Sequence, residues 1–173
     1  MIDSEDKIYS RDELVTLVEY LRAEGECIVC TNGVFDLMHV GHLRYLQAAR
    51  SLGSILIVGL NSDASTRAIK GEKRPIVSQD ERVEMLAGLT CVDLITIFDE
   101  LTAEELVRAV RPDIYVKGGD YASDLPHNNM PAKPLPEAAI VRELGGRVEF
   151  IPYIPGRSTS ELIAKIAATH TAQ

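Results

Sequence analysis

CIVCTNGVFDLMHVGHLRYLQAARSLGSILIVGLN, residues 27–61, contains the order of elements that decides the fold. It opens on a short β-branched run, CIVCT (27–31), and closes on another, ILIVGLN (55–61). Between them Leu43, Leu46 and Ala49 return at helical spacing. Strand, helix and strand in close succession make a βαβ unit. Both runs are continuously apolar rather than alternating, so the sheet they enter is covered on both faces.

Outward from this unit, three more runs read as strands: LITIF (94–98), IYVK (114–117) and RVEFIPYI (147–154). Helical spacing recurs between and after them, at Val83, Leu86 and Leu89, at Leu106, Val107 and Val110, and at Leu162, Ile163 and Ile166. The alternation predicts an α/β, Rossmann-like open sandwich: a five-stranded parallel sheet with helices on both faces and right-handed crossovers. Four S/T-x-x-E boxes mark expected helix starts, at Ser10 with Glu13, Ser78 with Glu81, Thr102 with Glu105, and Ser158 with Glu161. Residues 1–26 read as an N-terminal helical extension of a single domain spanning 1–173. The proline-rich PHNNMPAKPLP (126–136) lies in an irregular stretch, 122–136, expected to be a surface loop or lid.

Composition narrows the partners. With 173 residues, 46% hydrophobic and 25% charged, the chain has ample material for one core. Its 18 basic and 26 acidic side chains give a net charge of −8, and there is no basic tract, which argues against a nucleic-acid partner. A small anionic ligand remains compatible, because a pocket can be locally positive on an acidic protein. No apolar run is long enough for a membrane span, and the acidic, polar start is unlike a secretory leader. The expected compartment is the cytoplasm. Cys27 and Cys30 form a C-x-x-C, yet on a strand their sulfurs diverge, so core cysteines are expected rather than a redox or zinc pair.

The densest chemistry is TNGVFDLMHVGH, residues 31–42. A buried strand runs into Asn32-Gly33, turns, and opens a helix at His39. In open α/β sheets, ligands bind at the carboxyl ends of strands beside helix N-termini. His39 and His42, three apart, share one helix face, and Gly41 leaves the first-turn N–H groups open to a phosphate. The competing reading packs His39 on the sheet and leaves His42 solvated. Zinc ranks lowest, since nothing within the motif completes a close ligand set. P-loop, G-x-G-x-x-G and G-x-S-x-G motifs are all lacking.

HxGH after a strand ending in NGVFD resembles the cytidylyltransferase-like nucleotidyltransferase superfamily. GLNSDAS (59–65), KGEKRPI (70–76), DERVEML (80–86), VKGGDY (116–121) and GRSTSELI (156–163) follow in the family's order. Together they resemble the domain that joins D-glycero-D-manno-heptose 1-phosphate to ATP in ADP-heptose synthesis, here in stand-alone form, over nearly the whole chain from about Arg11. The resemblance implies transfer of AMP from ATP, used with Mg²⁺, and release of pyrophosphate.

The implied catalytic residues are His39, His42, Lys70 and Arg157. By spacing alone, Lys70 reads as a solvated helix end. Thr31, Asn32, Gly33, Phe35, Gly41, Lys117, Gly118, Ser158, Thr159 and Ser160 would hold the nucleotide and its phosphates. Asp36, Arg82 and Asp120 are expected at the substrate. For each of these three a plainer role competes: Asp36 orienting the turn, Arg82 on a helix surface, and Asp120 forming a turn. No protein-ligated metal site is expected. Glu104, Glu105, Arg108, Arg111 and Glu137 read as surface. Residues 122–144 are longer than the family pattern, where a sugar could be covered. CTP with glycerol 3-phosphate, GTP with another sugar, and a silent nucleotide-binding regulatory module are the alternatives. A homodimer acting on small molecules follows from the resemblance and from the prevalence of dimers among oligomers.

Overall fold

The computed structural model describes residues 4–118, 135–152 and 159–170. A 3₁₀ turn (Ser4–Lys7) leads into α1 (Arg11–Ala23), β1 (Ile28–Gly33), α2 (Val40–Arg50), β2 (Ile55–Asn61), α3 (Asp63–Lys70) and α4 (Gln79–Ala87). Then come β3 (Leu94–Phe98), α5 (Glu104–Val110), β4 (Ile114–Gly118), α6 (Glu137–Glu143), β5 (Arg147–Ile151) and α7 (Thr159–His170). All strand pairs are parallel, in the order β3-β2-β1-β4-β5. The five expected strands are therefore present, in a Rossmann-like sheet. β1 runs on through Asn32 and Gly33, while β5 stops at Ile151, before Pro152, which has no N–H to continue a ladder.

The chain moves outward from β1 to β3, then returns to the other side of β1 for β4 and β5. Right-handed crossovers place the helices of the two halves on opposite faces. Alternate strand residues divide accordingly. Val29, Leu56, Val58, Ile95, Ile114 and Val116 pack with Leu46 and Ala49 of α2 and Val83 and Leu86 of α4. Ile28, Cys30, Ile57, Leu94 and Tyr115 pack with Leu14 and Val18 of α1, with α5, and with Ile140 and Val141 of α6. Each fully buried Leu, Ile or Val contributes roughly 1.5–3 kcal/mol, so the two layers supply most of the driving force. The three cysteines are free, with Cys30 in the core. The α7 pattern behaves differently: Leu162 and Ile166 remain 36% and 49% exposed.

Two of the expected capping boxes form with both bonds, at Ser10–Glu13 and Ser78–Glu81. The Thr102–Glu105 box does not. α5 starts one residue later than that box requires, and the Thr102 hydroxyl donates to Glu104 at 2.9 Å. The Ala103 N–H instead donates to Glu137 Oε1 at 2.8 Å, reaching across from α6. Glu137 is thus buried, not the surface residue expected from sequence. The Ser158 box lies outside the described residues.

The first turn of the chain returns to the sheet. Ile8 bridges Ile95 of β3, and the Tyr9 N–H donates to the Ile95 carbonyl at 2.9 Å. Lys7 donates to the carbonyls of Leu89 and Val92 at 2.9 and 2.8 Å, satisfying groups beyond the end of α4. Among the described residues, no helix is long and apolar enough to cross a membrane.

Candidate active site

β1 has β2 on one side and β4 on the other, and the chain's direction of growth reverses between them. The connections leave opposite faces there, which opens a crevice at the carboxyl ends of β1 and β4. Asn32 and Gly33 end β1, and Lys117 and Gly118 end β4. Lys117 is buried and donates to Asn32 Oδ1 at 2.7 Å. The Tyr115 hydroxyl donates to the same oxygen. With its carbonyl held twice, Asn32 keeps its amide nitrogen as the donor end for a ligand. Burial pushes the neighbouring Cys30 thiol up to about 12, partly opposed by Lys117, so it stays protonated and is no nucleophile.

The Thr31 hydroxyl is engaged within the protein. It bonds the Tyr45 hydroxyl at 2.7 Å, and Tyr45 donates onward to the Val116 carbonyl at 3.0 Å. This chain of hydroxyls braces α2 across the crevice between β1 and β4.

The turn after β1 sets the histidines. Phe35 is buried with φ of +48°, a left-handed conformation that is costly for an aromatic residue and sustained only by its surroundings. A Cβ on Gly33 would meet the Phe35 ring at 3.0 Å, so Gly33 is what lets the ring lie over the strand end. From there the Phe35 ring meets His42 edge-on at 5.5 Å.

His39 is the N-cap of α2, in extended conformation. Its Nδ1 accepts the Gly41 N–H at 3.1 Å, while the His39 N–H donates to His42 Nδ1 at 3.4 Å. The two imidazoles thus play the parts of Ser and Glu in a capping box, and their rings stack at 4.0 Å. A nitrogen that accepts cannot carry the proton, so each neutral ring bears its hydrogen on Nε2. Burial, and secondarily the electrostatic influence of the adjacent His39 ring, hold His42 down from 6.5 to about 4. At neutral pH His42 is an uncharged Nε2–H donor.

That depression links the site to stability. Between pH 6.5 and about 4 the unfolded chain takes up a proton on His42 that the folded chain refuses. The contribution is fully present above pH 6.5 and is lost as pH falls toward 4, on the order of 2 kcal/mol given the ring's partial exposure. Denaturant unfolding at pH 7 and 4.5 is expected to show a larger loss for the parent than for His42→Asn. Parallel losses would remove His42 as the source.

Asp36 is buried and fully engaged. Oδ1 accepts the N–H groups of Ile76 and Val77 at 2.8 and 2.9 Å, and Oδ2 accepts Arg74 Nε at 2.6 Å. It pins the loop between α3 and α4 to the turn before His39, as the orienting role requires. Arg82 is likewise buried, not on the helix surface. It lies 1% exposed, with Nε on the Val77 carbonyl at 3.0 Å and Nη1 on the carbonyls of Val34 and Asn61 at 2.6 and 2.9 Å. Its Nη2 pairs with Asp63 at 2.7 Å. One buried guanidinium therefore joins the ends of β1 and β2 to α3 and the loop before α4.

Lys70 is the last residue of α3 and is exposed; Gly71, with φ of +93°, turns the chain into the pinned loop. On the other side, Thr159 at the start of α7 donates to the Leu37 carbonyl at 3.4 Å, bringing that helix start to the histidine turn. Arg157, Ser158 and Asp120 lie outside the described residues, as does the side chain of Ser160. Sequence reasoning missed Tyr45, Tyr115 and Arg74, although KGEKRP contained the last of these.

Comparison with known proteins adds three findings. The sequence model of the cytidylyltransferase-like family matches residues 30–165. The chain is 47% identical to "Bifunctional protein HldE" of Pelobacter propionicus over 95% of its own length and 32% of that protein. It is 44% identical to the protein of that name from Geobacter sulfurreducens, over 95% and 32% respectively. The chain thus spans about a third of the length of the curated relatives it matches. Among solved structures, the "lipopolysaccharide core biosynthesis protein" of Thermoplasma volcanium superposes with a TM-score of 0.56 at 27% identity, covering 75% of this chain and 98% of that one.

Proposed function

Because the chain belongs to the cytidylyltransferase-like family, we propose that it transfers AMP from ATP to D-glycero-D-manno-heptose 1-phosphate, giving ADP-heptose and pyrophosphate. The observation that carries the chemistry is the reciprocal histidine cap, which fixes two Nε2–H imidazoles at a helix N-terminus beside the crevice. The resemblance in motifs, together with the HldE relatives, supports the choice of donor and acceptor.

In this reaction an oxygen of the sugar phosphate attacks the α-phosphorus of ATP. The bond to the bridging oxygen breaks, and pyrophosphate leaves with that oxygen. The protein's part is positioning and charge stabilisation. His39 and His42 donate to phosphate oxygens as charge shifts toward the leaving group, and their neutrality avoids the cost of burying an unpaired cation. Asn32 and Lys117 lie at the nucleotide's edge of the crevice, Lys70 bridges the two anionic reactants, and Arg157 with the start of α7 receives the outer phosphates.

Mg²⁺ would enter with the triphosphate and neutralise part of its charge. Phosphate oxygens and water would supply most of that ion's ligands. The same reading carries a homodimer in the cytoplasm, with neither nucleic acid nor membrane as partner.

Pyrophosphate release in the presence of Mg²⁺ tests it, with ATP, CTP or GTP against heptose 1-phosphate or glycerol 3-phosphate. Release that needs both ATP and heptose 1-phosphate is the expected result. Release with CTP and glycerol 3-phosphate would keep the mechanism and overturn the substrates. Nucleotide binding without release would favour a regulatory module.

A further inference from the structure

Arg74 has no part in the mechanism above. Its Nε is fixed on Asp36 Oδ2 at 2.6 Å, and among the described residues its Nη1 and Nη2 donate to no protein group. The arginine side chain keeps 20% exposure while Asp36 keeps 2%, so one edge of the guanidinium is buried against a carboxylate and the other reaches solvent. Arg82, by contrast, spends both edges within the protein. A planar fork anchored at Nε and open at Nη is pre-set to take an oxyanion in two parallel bonds, having already lost the freedom that binding would otherwise remove.

The location narrows the anion. Asp36 lies in the turn between β1 and His39, and Lys70 ends the helix that leads into the loop holding Arg74. The Arg74 loop, which follows β2 and α3, meets this turn at Asp36, whereas α7, which follows the edge strand β5 on the other side of β1, meets it at Leu37 through Thr159. A triphosphate running from Lys117 toward α7 leaves the β2 side to the second reactant. We infer that Arg74 binds the phosphate of the acceptor sugar phosphate, and that Asp36 positions it; this rests on the nucleotidyl-transfer reading given above.

Arg74→Gln should raise the KM for heptose 1-phosphate at least tenfold in pyrophosphate release, with calorimetric affinity for ATP unchanged within twofold. Arg74→Lys, which keeps the charge but not the fork, should fall between the two. Asp36→Asn should raise the same KM and add nothing further in the Arg74→Gln background, since it acts through that residue. An unchanged KM in folded Arg74→Gln, or an equal loss of ATP affinity, overturns the inference.

If the parent protein fails to turn over heptose 1-phosphate, the proposed reaction falls, and inorganic phosphate becomes the probe. It is titrated by calorimetry into protein saturated with α,β-methylene ATP, leaving the acceptor side open. A fivefold or greater loss of phosphate affinity in both Arg74 variants supports the Arg74 site independently of the sugar; identical isotherms overturn it.

Discussion

Replacing His39 with asparagine is expected to lower turnover on the order of 100- to 1000-fold while nucleotide affinity changes only a few-fold. The choice of asparagine separates two roles that one residue combines. As N-cap, His39 accepts the Gly41 N–H, and asparagine caps helices well enough to replace it there. As donor, His39 offers an Nε2–H that asparagine does not place at the same reach. His39→Ala removes both roles and should cost about 1 kcal/mol of stability in addition. Steady-state pyrophosphate release, equilibrium nucleotide binding and thermal melting read the three quantities. If His39→Asn lost affinity and turnover equally, the imidazole would be a ground-state binding group and nothing more.

A second substitution should act on the fold with little regard to chemistry. Arg82→Met would remove a side chain that is 1% exposed and leave the carbonyls of Val34, Asn61 and Val77, together with Asp63, without their donor. The cost should be about 3 kcal/mol, because the Asn61 carbonyl is left buried and unmatched while Asp63, 26% exposed, can turn to water. For a chain of this size the melting temperature should fall by roughly 10 °C. Arg82→Lys should recover only part of that, as an ammonium cannot span acceptors on three segments. Urea unfolding of the parent and both variants checks the order. A loss below about 1 kcal/mol in Arg82→Met would mean that these loop ends hold together without the guanidinium.

Arg82 also shows where the sequence speaks and where it misleads. The strands declared themselves because each is a continuous apolar run in a two-sided sheet, and the helices because leucines and valines return every three or four residues. Arg82 reads as a surface residue only when its charge is allowed to outrank its position. It precedes Leu86 by one helical turn, on the face of α4 that enters the core. Glu137 stands in the same relation to Ile140 and Val141 of α6. A charged residue in phase with a buried stripe is thus a signal for a buried polar tie, and both cases had it.

The histidines were legible as a cluster but not as a cap. Capping boxes are ordinarily recognised by Ser or Thr followed by Glu, and no helical period reveals that imidazole nitrogens can make both bonds. The Asp36–Arg74 clasp was hidden for another reason. It joins residues that only the return of the chain through β2 and α3 brings together, and no local pattern contains that return.

An open sheet faces one hazard that helices on its faces do not remove. Its outermost strands present unspent N–H and carbonyl groups to any passing extended chain, including one from another copy of the protein. The two margins of this sheet meet that hazard differently. At β3 the chain's own first turn lies against the strand through Ile8 and Tyr9, so part of the vacancy is filled from within. Among the described residues the guard at β5 is electrical: Arg147 and Glu149 pair at 3.0 Å on a strand otherwise short and apolar, and an intruding strand would have to desolvate both. Each described margin of the sheet thus carries its own check against pairing with a further strand.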